Sequence, residues 1–187
     1  MLPFSTIRSL LFLLISLLLL RISWKPLQNP RCHGFYRFFA FEGILFLLLL
    51  NYPVWFDHWH APHQLISWLL LATSILFVLQ GLHWLRTAGG SEQRAQAPEN
   101  FSFENTQHLV TSGIYRHIRH PMYSSLLLLA WGAFCKHFSP AGLLAVLLST
   151  VFLLVAALIE ERENRAFFGP AYDEYRKTSK MFLPFLF

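Results

Sequence analysis

Two stretches of this chain gather the side chains able to do chemistry. The first, GIYRHIRHPMYSS from Gly113 to Ser125, sets Arg116, His117, Arg119 and His120 between Tyr115 and Tyr123, with Pro121 opening a long apolar run. The second closes another apolar run with Glu160 and Glu161 and continues through Arg162, Arg165, Tyr172 and Tyr175. An Arg beside the free N–H groups of a helix start suits a carboxylate or a phosphate. The same cations at a membrane surface serve equally to contact lipid headgroups. Two adjacent carboxylates at the end of an apolar helix are costly unless they face a cavity or meet cations. Neighbouring helical positions point about 100° apart. One carboxylate is therefore expected to meet the Arg119 region and the other to face a ligand or water. Glu161 and Arg165, four residues apart, are expected to pair along the helix.

The elements that must position these groups are membrane helices. The chain has 187 residues, of which 55% are hydrophobic, 17% aromatic and only 13% charged, against about 25% charged in a soluble domain. Crossing about 30 Å of hydrocarbon takes roughly 20 apolar residues. Five stretches qualify: Leu2 to Leu20, Phe35 to Leu50, Leu65 to Trp84, Met122 to Phe138 and Ala141 to Ile159. The expected fold is therefore all-α, an integral membrane bundle of five helices. It forms a single membrane domain with three N-terminal helices over 1–86, a linker and motif over 87–120, and a helical hairpin with a polar tail over 121–187. TAGGSEQRAQAPEN reads as a flexible linker, and FSFENTQHLVTSG as a short interfacial or re-entrant piece.

Positive charge sets the orientation. Thirteen of the 15 Lys and Arg residues fall in the first loop, the third loop and the tail; only Arg8 and Lys136 lie on the other side. The expected topology puts the N-terminus outside and the C-terminus, with both chemical stretches, in the cytoplasm. The N-terminal apolar run lacks a small-x-small cleavage site and reads as a retained helix. Cys32 and Cys135 fall on opposite faces, so no disulfide framework is implied. A net charge of +5 spread over an apolar chain does not suggest nucleic acid.

T-x-G-x-Y-x-x-x-R-H-P-x-Y over Thr111–Tyr123, then a hairpin, then Glu160-Glu161, then F-G-x-x-Y-x-x-Y over Phe168–Tyr175, resembles the isoprenylcysteine carboxyl methyltransferase family and the related membrane phospholipid N-methyltransferases. The resemblance covers roughly the last 80 residues, and the ordered set is more specific than any one motif. Ser125 stands where family members often have Gly, and Lys180 supplies the basic residue before the last proline. The resemblance implies an integral-membrane enzyme using S-adenosylmethionine. It implies cofactor binding by Tyr115, Arg119, His120, Pro121, Tyr123, Glu160, Glu161 and Tyr172, with Arg119, His120, Glu161 and Arg165 as catalytic candidates.

The bottom-up chemistry agrees with that cofactor. Its carboxylate wants Arg or a helix start, its diol and ammonium want Glu, and its sulfonium and adenine want aromatic faces. Methyl transfer is an in-line displacement, so the protein mainly aligns its reactants, which is worth about 7–11 kcal/mol. A carboxylate acceptor needs no base, whereas an amine or thiol needs one such as His120. Arg162 or Arg165 is placed to neutralise an anionic acceptor. The acceptor is expected to be lipophilic and to arrive sideways from the bilayer. Alternative functions are an NADPH-dependent membrane reductase related to sterol reductases and a non-enzymatic membrane accessory protein. Glu42, inside the second helix, is expected to pair with Gln80 or His83 on the third. Asp57, His58, His60 and His63 have a metal-like composition, but beside Trp55 and Trp59 they read as an interfacial belt, with no metal expected.

Overall fold

A computed structural model describes residues 4–90 and 106–183. Seven α-helices lie among these residues: α1 (Phe4–Ile22), α2 (Trp24–Leu27), α3 (His33–Asn51), α4 (Pro62–Ala88), α5 (Pro121–Phe134), α6 (Pro140–Phe168) and α7 (Pro170–Thr178). Prolines open α4, α5, α6 and α7, where the missing N–H has no helical partner to lose and the fixed φ is already helical. At α6 the cap is completed by Ser139, whose Oγ accepts from the Gly142 N–H at 3.1 Å. Gly169, at φ +60°, breaks the chain between α6 and α7, a backbone conformation that glycine adopts without steric cost.

The protein is a multi-pass helical membrane bundle. α1, α3 (extended through Val54), α4 and α6 are long and apolar enough to cross a bilayer, while α5 is a shorter apolar helix. The sequence places the fourth span over Met122 to Phe138, but the helix stops at Phe134. At 14 residues α5 is about 21 Å long. The residues after it form a turn in which Lys136 is buried, 2.9 Å from Gln64 Oε1 and with its Nζ 3.3 Å from the centre of the Trp68 ring. The side chains of α4 thus shelter a cation that would otherwise lie in hydrocarbon, and this allows the helix to end early. α6 runs nine residues beyond the expected Ile159, carrying Glu160 and Glu161 out of the apolar stretch while still helical.

Two antiparallel pairs make the bundle. α3 packs chiefly on α6 and α4 chiefly on α5, with α5 also touching α3 and α6. Thus α5 and α6, the expected hairpin, each lean more on an earlier helix than on each other. Small and hydroxyl side chains allow the close approaches, as is usual between helices in lipid. Ser67 and Ser74 on α4 donate to the carbonyls of Gly132 and Ser125 on α5, both at 2.7 Å. A Cβ at Gly43 of α3 would collide with Ser149 of α6. Glu42 does not meet Gln80 or His83: α4 packs on α5, and the Glu42 carboxylate instead takes the Ser16 hydroxyl of α1 at 2.6 Å.

Beyond α7 the chain doubles back along the segment before α5. Arg119 N donates to Lys180 O at 2.8 Å, Lys180 N to His117 O at 2.9 Å and His120 N to Met181 O at 3.1 Å. Ser124 Oγ then reaches Phe182 O at 2.8 Å. This strap ties the C-terminal segment to the start of α5. Of the linker expected over Thr87 to Asn100, Thr87 and Ala88 complete α4, and the part beyond residue 90 lies outside the described residues. So does the start of FSFENTQHLVTSG; its remainder, from Thr106, leads to a 3₁₀ turn at Gly113–Arg116.

Candidate functional site

At the end of the bundle where α4 finishes and α5 begins, a part-enclosed cavity holds about 650 Å³ of non-atom space, its mouth included. α5 contributes its opening residues, α6 its polar end, and α7 the two tyrosines. Seven of the residues singled out in the sequence meet on its wall: Tyr115, Arg119, His120, Pro121, Tyr123, Glu160 and Tyr172. The two remaining ones do not line it. Glu161 is turned behind the wall, and Arg165 lies outside, 53% exposed, with its guanidinium on Asp173 of α7 at 2.8 Å. The expected Glu161–Arg165 pair along the helix is therefore not formed, because each side chain meets a stronger partner on another element.

Glu161 is a hub. Its Oε1 receives Arg119 Nε at 2.7 Å and lies 3.6 Å from His120 Nε2, and its Oε2 is 3.2 Å from Arg176 Nε. The carboxylate is only 4% exposed, and three cationic or protonatable groups from α7 and the approach to α5 offset the cost of its burial. Arg119 is equally engaged: its Nη1 donates to the carbonyls of Ser179 and Arg176. One guanidinium therefore holds α6, α7 and the strap together while still lining the cavity.

Glu160, turned about 100° from its neighbour, faces the cavity. Its Oε1 is 3.9 Å from His120 Nδ1, so the His120 ring sits between two carboxylates. That ring stacks on Tyr123 with centroids 5.6 Å apart and packs on Phe182 of the strap at 6.0 Å. Tyr172 is buried beside Phe168, their rings stacked at 6.5 Å. Burial pushes its phenol above the usual tyrosine range, and the Glu161 and Glu160 charges push the same way. Tyr172 thus stays a neutral donor.

Several contributors had no role assigned from the sequence, although Phe168 and Tyr175 bound its last motif. Asn164 and Phe168 line the cavity; they stand four and eight residues after Glu160, on its helical face, and that spacing was the available signal. Tyr175, three residues after Tyr172, donates its hydroxyl to Tyr115 O at 2.6 Å and so fixes α7 against the 3₁₀ turn. Leu85 and Val110 close the apolar side, and no sequence pattern links them to the motifs. Around Asp57, His58, His60 and His63, at the opposite end, no group of three or more His, Cys, Asp or Glu side chains able to hold a metal occurs among the described residues.

The model of the phospholipid methyltransferase family matches residues 63–171, a stretch containing α4, α5, α6 and most of the cavity wall. Methanethiol S-methyltransferase 2 of Bradyrhizobium diazoefficiens is 31% identical over the whole of this chain, which covers 62% of that relative's length. Methanethiol S-methyltransferase of Pseudomonas deceptionensis is 33% identical over 39% of the chain and 27% of its own length. A probable protein-S-isoprenylcysteine O-methyltransferase of Oryza sativa is 35% identical over 45% of the chain and 44% of its own length. The chain thus spans less than two thirds of these curated relatives. No solved structure matches it.

Proposed function

From the chain's membership of the phospholipid methyltransferase family, we propose that it is an integral-membrane methyltransferase that uses S-adenosylmethionine and methylates a small lipophilic thiol. The observation that carries this reading is the convergence of Glu160, His120 and four aromatic rings (Tyr115, Tyr123, Phe168, Tyr172) on one cavity at the polar end of an apolar bundle. The donor set fits the cofactor. Glu160 suits its diol or ammonium, the tyrosine and Phe168 faces suit its adenine and sulfonium, and the first turn of α5 beside Arg119 suits its carboxylate. The cofactor supplies an electrophilic methyl group.

The chain's own residues then have three tasks. Tyr172, Tyr123 and Glu160 orient the reactants, and alignment of this kind is worth about 7–11 kcal/mol. The strap over His117–His120 closes one side against water. His120, whose ring lies 3.9 Å from Glu160 and 3.6 Å from Glu161, takes the thiol proton onto a ring nitrogen. A thiol is favoured over a carboxylate because a protonatable ring between two carboxylates is what a proton-bearing nucleophile needs, and because two of the relatives above are named for thiol methylation. The distribution of Lys and Arg supports a cytoplasmic cavity, with the C-terminus inside and the N-terminus outside.

The test is calorimetric titration of the detergent-solubilised protein with S-adenosylmethionine and S-adenosylhomocysteine, then radiolabelled methyl transfer to alkyl thiols. Saturable binding abolished by Glu160→Ala, and thiol turnover abolished by His120→Asn with binding retained, is the expected result. Folded protein that binds neither sulfur compound, but binds NADPH, would overturn the reading in favour of a reductase.

A further inference from the structure

A second, lipid-open groove of about 830 Å³ runs along the bundle between α3 and α4, bounded by Leu48, Ile75, Val78, Leu79 and Leu129. Its polar lining side chain is Ser74, whose hydroxyl is engaged by the Ser125 carbonyl. The groove and the cavity follow one another along the same two helices, α4 and α5. On α4, Leu71, Ile75, Val78, Leu82 and Leu85 recur at three- and four-residue spacing, the first three on the groove and the last on the cavity wall. On α5, Leu129 of the groove and Met122 of the cavity are seven residues apart, two turns or about 10 Å along one face.

Met122, on the cavity wall, lies directly on the backbone of α4, at a level between the α4 residues of the groove and Leu85 of the cavity. The facing residue is Gly81, and a Cβ added there would stand 2.9 Å from Met122 Sδ. Gly81 is buried and Met122 only partly so. Methionine is unbranched and has three rotatable bonds in its side chain, so it can change rotamer without moving either helix.

Resting on the methyltransferase reading above, we propose that Met122, seated on Gly81, is the partition between this groove and the cavity and sets the size of the acceptor: an alkyl chain lies in the groove, and its reactive head passes Met122. With Met122 in place, short thiols fit the cavity whole; a long chain requires the side chain to swing aside.

The experiment pairs turnover with labelling that needs none. Transfer to methanethiol and to octanethiol is measured for the wild type, Met122→Ala and Gly81→Ala. Met122→Ala is expected to raise the octanethiol-to-methanethiol ratio of kcat/KM at least tenfold, and Gly81→Ala, acting from the opposite wall, to change the ratio by pressing on Met122. Val78→Trp, which plugs the groove, is expected to lower kcat/KM for octanethiol with S-adenosylhomocysteine binding unchanged. In parallel, a diazirine-bearing alkyl thiol is photolysed in the membrane and its adducts mapped. They are expected at Val78 and Leu79 in the wild type, and to extend to Leu85 and Tyr123 in Met122→Ala. Ratios that stay within twofold of the wild type in both partition variants, or a label that never reaches Val78 and Leu79, overturn the proposal. A protein that labels as expected yet methylates no thiol keeps the partition and loses the thiol reading, so the two failures are distinguishable.

Discussion

A carboxylate that is only 4% exposed at the rim of a membrane bundle stays charged only if cations meet it, and Glu161 has Arg119 and Arg176 on its two oxygens. Glu160, one residue earlier, has the His120 ring at 3.9 Å and the cavity. Glu161→Gln is therefore expected to destabilise the fold by about 3 kcal/mol, the lower end of the cost of leaving buried charges unpaired, read as a lower melting temperature in detergent. Glu160→Gln is expected to leave melting within a degree or two of the wild type and to remove cofactor binding. The pair of carboxylates was legible in the sequence, and helical geometry was enough to say that they diverge. Which of them turns inward was not, since that depends on where α7 brings Arg176. Lys136 was legible only as one of two cations on the sparse side.

The helices tell a similar story one scale up. Apolar length and the prolines at 121 and 140 located four spans closely. They overran α5, because hydropathy does not register that Gln64 and Trp68 receive Lys136 from another helix. The strap was invisible for a related reason: its hydrogen bonds run between backbone groups of His117–His120 and Lys180–Met181, which carry no side-chain signature. Ending the chain after Thr178 removes these bonds together with the Ser179 carbonyl that holds Arg119. Such a truncated protein is expected to keep its helix content by circular dichroism but to bind S-adenosylhomocysteine at least tenfold more weakly. On the α4–α5 seam, Ser74→Ala removes one buried interhelical hydrogen bond. Bonds of this kind in membranes contribute about 0.6 kcal/mol on average, reaching about 1.7. The expected loss lies in that range and is measurable by denaturant titration in mixed micelles.

For the molecule as a whole, the charge asymmetry and the position of the cavity agree: the end that gathers Arg119, Arg176 and Lys180 is the end where α4, α6 and α7 enclose a polar space. A reporter fused to the C-terminus is expected to be active only in its cytoplasm-dependent form. The brevity of α5 bears on the surroundings as well as on the protein. Its 14 residues measure about 21 Å, against about 30 Å of hydrocarbon, while its neighbours α4 and α6, with 27 and 29 residues, reach about 40 Å or more. Lipids bordering the groove therefore meet a helix shorter than the hydrocarbon at α5 and a longer one at α4, and the cost at α5, fractions of a kcal/mol for each ångström, falls as acyl chains shorten. Reconstituted in nanodiscs of progressively shorter phosphatidylcholine, the protein should turn over faster as the leaflets thin toward the length of α5, making the bilayer itself a determinant of rate.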